Sequence, residues 1–214
     1  MMKDAFEISN EIKLRFEANK TEENLCMYVM AELLTPIEDK YHAMDLIRDN
    51  IAIVTDNRLL YLGAEISAGW NPGDQFFLNI LDQKLPTATE EEKAIIYYLN
   101  AIEISPYSAL RDPVCMEQYR SCLQKSVACS SNMYFAYNRS DLAAISPKRE
   151  AVKLLQEGKE TVRCILSEAD YKSDSHNELD IQNYIDEFIL GISIPEIIYE
   201  MHFGPEAFAD IMSK

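Results

Sequence analysis

Apolar side chains recur along this chain at intervals of three and four, the spacing that lines one face of a helix. Leu25, Val29 and Leu33 form one such row, and Leu59, Leu62 and Ile66 form another. Ile95, Leu99 and Ile102 make a third, and Val152, Leu155, Val162 and Ile165 a fourth. With the polar positions between them, the rows predict helices over 4–19, 22–34, 37–50, 56–68, 73–84, 90–104, 113–129, 131–144, 147–168, 177–190, 194–202 and 205–213. Connections between them are short, so consecutive helices should pack as antiparallel neighbours. One stretch, Ile51 to Val54, is rich in β-branched residues but too isolated to pair as a strand, and it reads as a helix end and linker.

Helix starts are legible. A hydroxyl is followed three residues later by glutamate at Thr35/Glu38, Thr89/Glu92, Ser175/Glu178 and Ser193/Glu196. That spacing lets each side chain satisfy a backbone N–H that the first turn leaves without a partner. Pro106, Pro147 and Pro205 stand at plausible first helical positions. Glu22 and Glu23 place negative charge where a helix presents its positive end.

Composition supports helix over sheet. Only 6 of the 214 residues are glycine, which leaves little material for the tight turns of an all-β protein. Apolar residues make up 48% and charged residues 26%, enough to bury a sizeable core. Uncharged apolar runs such as Ala94–Leu99 are far shorter than the roughly 20 residues of a membrane span. The first residues are interrupted by charges every few positions, unlike a secretory signal, so a cytoplasmic location is expected. Five scattered cysteines fit reduced thiols better than a disulfide frame.

The net charge of −16 is unevenly spread. Residues 1–110 hold 9 basic and 19 acidic side chains, residues 111–163 hold 9 and 6, and residues 164–214 hold 2 and 11. Neither nucleic acid nor an anionic membrane is an expected partner of so acidic a chain. The basic middle is expected to pair with the acidic flanks. Its alternative is a local patch that receives an acidic peptide or a small anion.

The stretch from Ala94 to Pro106 reads Ala-x₃-Tyr-x₂-Ala-x₄-Pro, with Tyr98 and Ala101 on the face of Ala94. Small residues there let a neighbouring helix approach closely, and Tyr98 fills the space beside them. This pattern resembles the second helix of a tetratricopeptide repeat. Leu78 and Leu81 then fall at that family's first-helix apolar positions, while Asp82 stands where the family prefers glycine. A separate first-helix likeness lies in Leu59-x₂-Leu62-Gly63-x₂-Ile66, with the family's aromatics replaced. The two likenesses imply different pairings of the helices. Repeats are most legible over 55–106. The resemblance implies one all-α domain over 1–214, a stack of about ten to twelve helices forming antiparallel hairpins. The acidic helices at 177–214 would cap it. A globular all-α bundle is the other architecture the pattern allows.

Candidate chemistry is sparse. Cys115, Cys122 and Cys129 recur every seven residues on one predicted helix, about 10 Å apart along its axis. That exceeds disulfide or shared-metal reach, so they read as small packing residues. Asp39, His42 and Asp45 share a helix face but have no second set of ligands, and read as a solvated face. No catalytic or metal-binding signature is present, and no cofactor is expected.

The segment around Tyr134, Tyr137, Asn138 and Arg139 combines aromatics, amides and a cation within the basic middle. By the resemblance, Asn138 and Arg139 would clamp an extended peptide on the concave face of the stack. Arg111, Arg120 and Lys148 would supply the positive field. The expected function is a non-catalytic module that binds a protein or peptide, an acidic one included. Arg139→Glu would then weaken partner capture without lowering the melting temperature. The alternative is an all-α enzyme or small-ligand binder with a pocket between helices.

Overall fold

A computed structural model describes residues 5–34, 40–104, 109, 111–129, 135–147, 149–151, 153, 154 and 157. Among these the chain is helical, with no strand. The helices are α1 (Ala5–Ala18), α2 (Glu22–Leu34), α3 (Lys40–Asp49), α4 (Asn57–Trp70), α5 (Phe76–Lys84), α6 (Glu90–Ile104), α7 (Pro113–Ala128) and α8 (Phe135–Ala144). Ile51–Ile53 forms a single 3₁₀ turn with extended Val54 after it, a helix end and linker rather than a strand. Contacts divide the chain into two compact units, Met1–Leu81 and Asp82–Lys214. The capping sequences at Thr35, Ser175 and Ser193, Pro106, and the helices expected beyond 157 lie outside the described residues.

In the first unit α1 packs on α2, α2 on α3 and α3 on α4. Leu25, Val29, Ile47 and Leu59 are fully buried where these helices meet. Burying each such side chain contributes about 1.5–3 kcal/mol. Two polar contacts fix the entrance of α4. Glu22, in the first turn of α2, accepts from the backbone N–H of Thr55 and of Asp56, each at 2.6 Å, and from the Thr55 hydroxyl. Burial raises the Glu22 carboxyl pKa, but those hydrogen bonds outweigh it and hold the group below its ordinary value. Asp56 then caps α4 by accepting from Arg58 N–H at 2.9 Å.

The turn from α4 to α5 depends on Gly73, whose φ of +98° an L side chain rarely adopts. Asp74 follows and accepts from Phe76 N–H at 3.1 Å, so α5 starts at Phe76 and not at 73. Arg48 of α3 pairs with Asp74, and its guanidinium lies 5.1 Å and 5.8 Å from the ring centroids of Phe76 and Phe77. Phe77 packs directly on Gly63 of α4, where a Cβ would come within 2.6 Å of its ring.

In the second unit Thr89 and Glu92 form the reciprocal cap that their spacing predicts: Glu92 accepts from Thr89 N–H at 2.8 Å and Thr89 Oγ1 from Glu92 N–H at 3.2 Å. Asp112 caps α7, accepting from Val114 N–H at 2.9 Å, with Pro113 as the first helical residue. The principal partner of α6 is α7, and α7 also packs on α8. Asp82 accepts from Asn100 Nδ2 of α6 at 2.9 Å.

Candidate functional site: the polar junction of α6, α7 and α8

Polar side chains from three helices converge in the second unit. Ala94 has no side chain beyond Cβ, so α7 comes close enough for Ser126 Oγ to donate to the Ala94 carbonyl at 2.7 Å. Ser126 Oγ in turn accepts from Asn138 Nδ2 of α8 at 2.8 Å. Asn138 Oδ1 accepts from Arg139 Nη1 at 3.2 Å, and Arg139 Nε donates to Glu157 at 3.3 Å. Ser126 and Asn138 are 0% and 1% exposed, so this chain of bonds lies within the packing. Burial depresses the Arg139 pKa, and Glu157 opposes that shift.

A second contact joins α6 to α8. Tyr98 OH donates to Asp141 Oδ2 at 3.2 Å, and the Tyr98 ring stacks on Tyr137 with centroids 6.4 Å apart. Burial pushes the Asp141 carboxyl up to about 6, although the Tyr98 hydrogen bond pulls the other way. The Tyr119 phenol of α7 is raised by burial and by the nearby Asp141 charge. The junction thus holds one acid whose pKa burial raises and three phenols, those of Tyr98, Tyr119 and Tyr137. Such groups are equipped for hydrogen bonding and proton exchange, and none of them is a soft metal ligand.

The structure places the sequence candidates unequally. Tyr137, Asn138 and Arg139 are buried and belong to this junction, not to an open surface. Arg111 is exposed ahead of α7. Arg120 is half-exposed, reaching Glu117 at 3.8 Å and the Ile145 carbonyl at 3.5 Å. Tyr134 and Lys148 lie outside the described residues. The acidic flank 164–214 lies outside the described residues. Arg120 with Glu117, and Arg139 and Lys153 with Glu157, all pair inside the basic middle, and Lys125 sits over the Tyr97 ring. Sequence reasoning missed Asp141, Tyr119 and Ser126. An acid four residues after Tyr137 was the only local signal for the first.

Other candidates are accounted for by packing. His42, expected on a solvated face, is half-buried: its Nε2 lies 3.2 Å from Tyr28 OH, with the two rings edge to face. Asp39 lies outside the described residues, and Asp45 is exposed. Cys26, Cys115, Cys122 and Cys129 are free and half-buried. Burial, with Asp56 and Glu22 nearby, pushes the Cys26 thiol up to about 11, well away from a reactive thiolate. Among the described residues no cluster of metal-type ligands forms, and no helix is long and apolar enough to cross a membrane. No protein family, curated protein or solved structure matches the chain.

Proposed function

We propose that this protein is a non-catalytic binding module that holds a protein or peptide on the outer faces of a stack of helical hairpins. The observation that carries this reading is the serial packing of the first unit. There α2 rests on α1 and α3, and α3 rests on α2 and α4, as in arrays whose layers touch chiefly their neighbours. Such arrays leave long rows of helix surface uncovered. The interior polar groups support the same reading: Ser126, Asn138, Arg139 and Glu157 bond to one another and hold helices together.

Recognition then falls to side chains that point outward. The first turn of α7 offers Val114, which is 64% exposed, near exposed Arg111. Arg111 and Arg120 keep their place in the proposed contact surface; Tyr137, Asn138 and Arg139 support it from within. The test is affinity capture followed by calorimetry with the purified captured protein. Saturable one-to-one binding, weakened at least tenfold by Arg111→Glu with Val114→Lys at unchanged melting temperature, is expected. Failure of every captured protein to bind saturably once purified overturns the proposal.

A second reading has one observation in its favour. The half-buried Asp141 carboxyl, with Tyr98 and Tyr119 beside it, is the kind of ionisable group that an interhelical small-ligand site would use. A low-molecular-weight compound that co-purifies and is lost in Asp141→Asn would favour that reading.

A further inference from the structure

Asp141 is a carboxylate surrounded by phenols. From α6, Tyr98 donates to it at 3.2 Å, and the same helix carries one further buried ionisable side chain, Glu103. From α7, the buried Tyr119 lies close enough to feel its charge. The neighbouring Arg120 is turned to Glu117 and the Ile145 carbonyl. On α8 itself Tyr137 stacks on Tyr98, and Arg139 is directed to Glu157, which also receives Lys153. Among the described residues, then, no cation reaches Asp141.

A carboxylate packed in this way holds a charge that no described side chain opposite it neutralises, and a proton removes that charge. We propose that the Asp141 junction is a proton-operated fastener: protonation tightens α8 against α6 and α7, and loss of the proton slackens it. This inference stands apart from the binding role and does not require it.

The titration of the group agrees with the geometry. Burial raises its pKa from 3.8 to about 6 in the folded chain. The folded state therefore holds the proton more tightly than the opened state does. The closed form of α8 gains as pH falls through about 6 toward 4, and loses that gain as pH rises through the same window. Between pH 7 and pH 5 the closed-to-open ratio should rise about tenfold, from the two pKa values alone.

Two measurements on the full chain test this. Carbon-detected NMR of the Asp141 carboxyl should show a midpoint near 6. Hydrogen exchange of the amides of Phe135–Ala144, corrected for intrinsic rates, should show about tenfold more protection at pH 5 than at pH 7. Asp141→Asn should abolish that difference. A midpoint in the ordinary carboxylate range overturns the proposal. So does equal protection at both pH values, or an unchanged pH dependence in Asp141→Asn. Should the variant not fold, the wild-type midpoint and exchange decide alone.

Discussion

Gly63→Ala is a sharp test of how the first unit is packed, because two effects of opposite sign meet at one position. In an exposed helix the substitution would stabilise by about 1 kcal/mol, since glycine is the poorer helix former. Gly63 is instead covered by Phe77, and a Cβ would sit 2.6 Å from its Cε1 and Cζ and 2.8 Å from its Cδ1. Carbon atoms prefer about 3.5–4.0 Å, so the ring must retreat by roughly 1 Å. It has little room to do so. Phe77 is completely buried, edge to face with Phe76 at 5.0 Å, and flanked by the Arg48 guanidinium. Overpacking of this kind costs about 1–3 kcal/mol, and a ring held on three sides belongs in the upper part of that range. The net expectation is a loss of about 1–2 kcal/mol, or a melting point lower by about 5–10 °C for a unit of this size. Thermal and urea unfolding followed by circular dichroism would measure it. In a Phe77→Leu background the clash is relieved, and Gly63→Ala should become neutral or stabilising. A higher melting point for Gly63→Ala in the wild-type background would refute the close contact of α4 with α5.

Three further substitutions probe the second unit. Asp112→Ala removes the acceptor for Val114 N–H and should lower stability by about 1 kcal/mol in urea unfolding. Arg139→Glu sets a buried acid against Glu157, so it should lower the melting temperature, by the equivalent of about 3 kcal/mol; this corrects the expectation that the residue is a free surface cation. Tyr98→Phe deletes the donor that favours the Asp141 carboxylate, and the NMR midpoint of Asp141 should move above 6.

The sequence made the helices of the described region legible because their signals are local. The helices expected at 22–34 and 90–104 are present as Glu22–Leu34 and Glu90–Ile104, and Thr89 with Glu92 forms the cap that their spacing implies. At the start of α5 the boundary differs because Asp74 caps the helix at Phe76. The junction was not legible. Ser126, Asn138 and Glu157 are polar and sit far apart in sequence, so periodicity alone assigns them to the surface. Their burial becomes visible only when α7 and α8 close on α6 and each side chain finds its partner. His42 misleads in the same way, since its partner Tyr28 lies on another helix. The unevenness of charge is plain in the sequence, and in the described part of the basic middle Arg120 pairs with Glu117, and Arg139 and Lys153 with Glu157.

The measurement that bears most directly on the proposed role is an amide and methyl NMR map of the full chain with and without its captured partner. Shift changes centred on outward positions, with Arg111 and Val114 among them and the resonances of Tyr98, Tyr119 and Asp141 nearly still, are the predicted result. Changes concentrated on Tyr98, Tyr119 and Asp141, produced by a small molecule in place of a protein, would contradict it.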